Sequence, residues 1–91
     1  MFYAISYDIR DDRRRLKVAK VLKDFGERVQ LSVFEARLEA SELVRLKKRL
    51  DPVLDQAQDS VRFYPLCAAC VPGIEVLGQG LVTQEADFII I

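Results

Sequence analysis

Apolar and polar positions change rhythm several times along the chain, and each rhythm predicts an element. Residues 2–9, Phe-Tyr-Ala-Ile-Ser-Tyr-Asp-Ile, form an almost unbroken apolar and aromatic run. Its length and β-rich content predict a strand buried on both faces, at the centre of a sheet. Asp8 breaks that run with a charge near its end. Spacing then turns helical: Val18, Ala19, Val21, Leu22 and Phe25 recur on one broad face. Arg13, Lys17 and Lys20 fall opposite, with Arg14 and Arg15 in the first turn. Asp11 and Asp12 suit the helix start, where carboxylates cap free amides and complement the dipole; Gly26 suits its end.

Residues 28–38 alternate over much of their length, as strand material does, either as one bent strand or as two short ones meeting near Ser32. A second helix is expected from Ser41, a good N-cap. Leu43, Leu46 and Leu50 make its buried stripe, Arg45, Lys47, Lys48 and Arg49 its wet face, and Asp51-Pro52 its end. Val61–Leu66 alternates as a strand, Pro72-Gly73 reads as a turn, and Ile74–Leu77 as another short strand. Gly78-Gln79-Gly80 is a joint before the apolar ending Phe88-Ile89-Ile90-Ile91. The order predicts an α+β fold, a ferredoxin-like βαββαβ sandwich with both helices on one sheet face. The core takes about residues 1–78, and about 79–91 form a C-terminal segment. A first strand apolar on both sides needs cover on its other face too. No third helix is available, so a second copy of the chain is the natural cover, and a homodimer is expected.

Ninety-one residues make one small domain. Fourteen Lys+Arg balance fourteen Asp+Glu, so total charge does not mark a nucleic-acid binder. Segregation does change the picture: residues 10–28 hold eight basic side chains against four acidic. The chain has no histidine, which excludes Ser-His-Asp and Cys-His catalysis and the histidine zinc sites. No apolar run approaches a membrane span of roughly 18 residues, and the N-terminus lacks a signal-peptide layout. A cytoplasmic protein without membrane partners is expected, its two cysteines reduced.

Three groups could carry chemistry. Asp8 closes a buried strand just before a helix start, and a helix-capping or loop-anchoring role is the commoner one for such a residue. Its neighbours Arg13, Arg14, Arg15 and Lys17 raise its interest. A carboxylate able to hold a hard cation, beside cations able to hold a phosphate backbone, is what metal-assisted phosphodiester cleavage needs. Cys67-Ala-Ala-Cys70 is half a zinc site, with nothing in the chain to complete it; small buried residues in a turn are the favoured reading, and a zinc shared between two subunits the remote one. Tyr7, Phe34 and Tyr64 could stack on bases, although such aromatics more often serve a core or a dimer interface.

Together the motifs resemble a known family. Tyr7-Asp8-Ile9-x-Asp11-Asp12-x-Arg14-Arg15-x-Lys17, followed by Gly26-Glu27-Arg28-Val29-Gln30-x-Ser32-Val33-Phe34-Glu35, is similar to the CRISPR-associated protein 2 family. Arg62-Phe63-Tyr64-Pro65-Leu66-Cys67-x-x-Cys70 and Ile74-Glu75-Val76-Leu77-Gly78 resemble one branch of it. The resemblance implies two strands within residues 28–38, a homodimer joined sheet to sheet, and a C-terminal strand added to the partner's edge. It also implies a magnesium-dependent endonuclease (manganese may substitute) acting on RNA or DNA, and partnership with CRISPR-associated protein 1 in spacer acquisition. Asp8 would then be the metal-binding, catalytic carboxylate. Tyr7, Arg15, Arg28, Ser32 and Phe34 would stand near the cleft, and Arg13, Arg14 and Lys17 along the nucleic-acid path. A second reading is a non-catalytic dimeric DNA-binding scaffold for the integrase. One Asp per chain is a poor magnesium site, so the catalytic reading requires two copies of Asp8 near one cation.

Overall fold

The computed structural model describes residues 1–82 of the protein. Strand β1 (Phe2–Asp8) leads to helix α1 (Asp12–Lys23), then to strands β2 (Glu27–Gln30) and β3 (Val33–Arg37). Helix α2 (Ala40–Leu50) and strand β4 (Ser60–Leu66) follow, and a 3-10 turn at Val71–Gly73 comes after them. The sheet order is β2-β3-β1-β4, with every neighbouring pair antiparallel. This is the expected βαββαβ arrangement, and residues 28–38 do divide into two strands about Leu31-Ser32.

Strand alternation sorts the sheet's two faces. Ile5 and Tyr7 of β1, with Phe34 and Ala36 of β3, are buried in one cluster with Val18, Ala19 and Leu22 of α1 and Leu46 and Leu50 of α2. The other face is not the second apolar surface that the residue 2–9 run predicts. Phe2 is buried there under the Arg37 guanidinium, 5.3 Å from its ring, but Ala4 and Ser6 are half-buried and Asp8 is exposed. Glu35, Arg37, Arg62 and Tyr64 flank them in register. A mixed, largely polar face results, because the run's small and polar members share one side of the strand.

Helix α1 starts as expected: Asp11 accepts from the Arg14 amide at 2.9 Å. Helix α2 begins earlier than Ser41. Glu39 takes the cap position, and its own amide donates to the Glu42 carboxylate at 2.8 Å, a capping-box pairing that leaves Ser41 inside the first turn. Gly26 ends the approach of α1 to the sheet. A Cβ there would lie 2.3 Å from the Glu35 carbonyl oxygen and 2.7 Å from the Ala36 Cβ.

Both edge strands are interrupted. β2 carries an irregularity between Arg28 and Gln30, and Pro65 lies opposite Tyr3 in the edge strand β4. Ile74–Leu77 is not the expected strand. Within the described residues it joins no ladder, and a cavity of ≈ 280 Å³ lies between residues 74–82 and Val29, Gln30 and Glu35. Without a neighbour at hydrogen-bonding distance, an extended segment is not a strand. Gly78 and Gly80 sit at φ +85° and +136°, so the joint is a real change of direction. Residues 83–91, including the apolar ending, lie outside the described residues, as does most of the expected C-terminal segment.

Candidate nucleic-acid and metal site

The C-terminal end of β1, the first turn of α1 and the β2–β3 turn meet at a cleft of ≈ 420 Å³. It is lined by Tyr7, Asp8, Ile9, Arg15, Leu16, Arg28, Leu31 and Ser32. Five of the residues singled out in the sequence therefore share one site: Tyr7, Asp8, Arg15, Arg28 and Ser32. They converge because β1 pairs with β3, and the Tyr7 amide donates to the Ser32 carbonyl at 3.1 Å.

Arg28 is held by aromatic groups. Its guanidinium lies 5.4 Å from the Phe34 ring centre, and its Nη2 donates to the Tyr7 hydroxyl at 3.2 Å. That hydroxyl donates in turn to the Leu31 carbonyl at 3.2 Å. Phe34 is fully buried and Tyr7 nearly so, so neither offers a ring face to a base. They hold Arg28, which lines the open cleft.

Arg15 works inward. Its Nη1 donates to the carbonyls of Ile9 and Arg10 at 3.1 and 3.3 Å, and its Nη2 pairs with Asp12. Those bonds tie α1 to the loop beneath Asp8, while part of the guanidinium stays exposed. Arg13 and Lys17 are exposed on the outer face of α1, outside the cleft.

Arg14 is committed elsewhere. Its Nε and Nη2 donate to both oxygens of Asp59, at 2.7 and 3.2 Å, and the Asp55 amide donates to the same carboxylate at 2.9 Å. The Asp59 side chain has no exposed surface. Arg14, then the Asp55 amide, hold its carboxyl below the ordinary value of 3.8. Stability from this pair is complete above that ordinary value and is lost as pH falls through the lowered one. An acid titration of unfolding should show that loss, and Asp59→Asn should remove this part of the acid limb; an unchanged limb in that variant contradicts the assignment.

Asp8 itself is exposed, and among the described residues no side-chain hydrogen bond engages it. Arg62, two positions along β4 from the Ser60 that faces Asp8, is the cation its charge reaches. Neither Arg62 nor Asp59 is visible as a site residue in the sequence, because both depend on where β4 pairs. Leu16 and Leu31, 68% and 86% exposed, form an apolar rim that the charge pattern also hides.

Among the described residues, no three His, Cys, Asp or Glu side chains converge as a metal centre. Magnesium commonly takes one or two carboxylates and completes its shell with water and phosphate. An exposed, unengaged Asp8 beside Arg28 fits one such carboxylate. It does not make the whole site.

The cysteine pair is not at the cleft, nor is it buried. Cys67 and Cys70 are both exposed free thiols, in a turn too short to enclose them.

The model of the family "CRISPR associated protein Cas2" matches residues 1–72. The chain belongs to the Cas2 family. A "CRISPR-associated endoribonuclease Cas2 3" of Synechocystis is 42% identical over 89 residues, covering 98% of this chain and 97% of the relative. A "CRISPR-associated endonuclease Cas2 2" of Thermus thermophilus is 50% identical, covering 86% and 82%. A chain of a solved "Partial Cas6-RT-Cas1--Cas2 complex" superposes with a TM-score of 0.70 at 26% identity, covering 84% of this chain and 89% of its own. Among the described residues of this Cas2 protein, no helix is long and apolar enough to cross a membrane.

Proposed function

We propose that this Cas2 protein is a magnesium-dependent endonuclease that hydrolyses phosphodiester bonds of RNA or DNA during CRISPR spacer acquisition. It acts in the cytoplasm as a homodimer and with Cas1. The exposed Asp8 at the mouth of a cationic cleft carries this reading, and the nuclease names of the two relatives and the Cas1–Cas2 neighbour support it.

Each chain contributes one carboxylate, so Asp8 from two copies would hold the cation (Mg²⁺, or Mn²⁺ in its place) between them. Bound there, the ion supplies Lewis-acid polarisation of a phosphoryl oxygen and a more acidic water. The chain's own residues bind and orient. Arg28, fixed by Phe34 and Tyr7, offers its remaining donors to a phosphate, and Ser32 offers a hydroxyl beside it. Arg15 keeps the Ile9–Arg10 backbone, and with it Asp8, in place. Arg13 and Lys17 extend the positive path along α1.

Cleavage of labelled RNA and DNA should appear with Mg²⁺ or Mn²⁺, stop with a chelator, and return when the metal is restored. Cleavage unaffected by chelation overturns the metal assignment. One observation favours a second reading, a DNA-binding scaffold for Cas1: a single carboxylate stands at the cleft, with no metal-binding cluster among the described residues.

A further inference from the structure

A second reactive group lies at the opposite end of the sheet from Asp8. Leu66 pairs with Phe2 and Ser60 with Asp8, so Cys67 starts about 20 Å from the cleft, at roughly 3.3 Å per strand residue. Here the chain leaves β4 in a tight turn. The amides of Cys70 and Val71 both donate to the Cys67 carbonyl, at 2.9 and 3.2 Å. The turn sets the two sulfurs 3.3 Å apart, with both residues open to solvent. They are the chain's only cysteines.

We infer that Cys67 and Cys70 are a reversible dithiol–disulfide site, oxidised by small-molecule disulfides of the glutathione class. A disulfide requires about 2.05 Å between sulfurs, so side-chain rotation closes a gap of roughly 1 Å. Exposure admits the oxidant, and the hydrogen-bonded turn keeps the second thiol beside the first. The two thiols are also unequal. The Cys70 thiol, then the amides of Cys70 and Ala69, stabilise a thiolate at Cys67 and lower its pKa, while the neighbouring Cys67 sulfur raises that of Cys70.

Cys67 is therefore the attacking sulfur. Its thiolate displaces one thiolate from the oxidant and forms a mixed disulfide. Cys70 then loses its proton and attacks the Cys67 sulfur, releasing the second thiolate. Two protein thiols become one disulfide, and one small disulfide becomes two thiols. A tetrahedral zinc site is the poorer match, since it needs four ligands and the described residues bring no third beside this pair.

The purified full chain, equilibrated in buffers of increasing oxidised-to-reduced glutathione ratio, tests this. Intact mass should fall by two hydrogen atoms as both titratable thiols disappear, with the chain still single on a non-reducing gel, and reduced glutathione should reverse it. Cys70→Ser keeps the attacking sulfur but removes the resolving one, so one bound glutathione should accumulate. Cys67→Ser should gain its adduct more slowly. Both positions are exposed, so serine does not threaten folding. Retention of both thiols at every ratio overturns the inference, as do cross-linked chains or stable adducts on the unsubstituted protein.

Discussion

Asp8→Asn is expected to lower nuclease activity by at least about a thousandfold while leaving the fold intact. A positioned cation contributes several kcal/mol to the transition state of phosphodiester hydrolysis, and each 1.36 kcal/mol is roughly tenfold in rate. Asparagine has nearly the same shape as aspartate but brings no charge to the metal. The native carboxylate is exposed and makes no side-chain hydrogen bond among the described residues. Stability should therefore change by no more than about 0.5 kcal/mol, as for ordinary surface substitutions. Cleavage rate and thermal unfolding, measured on one preparation, check both halves. Full activity in the folded variant removes Asp8 from catalysis. Intact spacer acquisition by a variant without nuclease activity would instead assign the protein to the scaffold reading.

Gly26→Ala should produce the largest loss of stability from a single added methyl. The new carbon would meet a backbone oxygen of β3 at 2.3 Å, and a carbonyl inside a ladder cannot rotate away. Gly26 does not have positive φ, so the cost is contact alone. Overpacking of this kind typically costs about 1–3 kcal/mol. For a domain of this size that lowers Tm by roughly 4–24 °C. Gly73 supplies the control: a Cβ there meets nothing within 4 Å, and Gly73→Ala should leave Tm almost unchanged. Equal melting of the two variants would contradict the steric account.

Periodicity revealed the helices and the central strand because burying one face imposes a spacing that any reader of the chain can find. Val18, Ala19 and Leu22, or Leu46 and Leu50, are buried where that spacing places them. Motif resemblance went further, bringing Tyr7, Asp8, Arg15, Arg28 and Ser32 to one cleft. What stayed hidden depends on pairing over long separations. Arg14 looks like a phosphate ligand until Asp59, 45 positions later, is found holding its fork. Phe34 looks like a stacking surface until burial turns it into the support for Arg28. The far face of β1 stays hidden for a simpler reason. Ala4 and Ser6 are small enough for an apolar run to pass over them, yet they share a side with Asp8.

Pro65 turns the outer margin of β4 into a poor template for another strand. The Tyr7 amide points toward β3, since it donates to Ser32. Amides alternate along a strand, so that of Tyr3 points the same way, and Tyr3 and Pro65 form a pair without mutual bonds. The Pro65 nitrogen accordingly faces outward, where it has no hydrogen to offer. A foreign strand approaching β4 meets a broken row of donors. At the opposite edge, the irregularity in β2 and the charges of Glu27 and Arg28 resist the same approach. Among the described strands, open-ended ribbon growth, the usual hazard of a small sheet, is thus opposed at both edges.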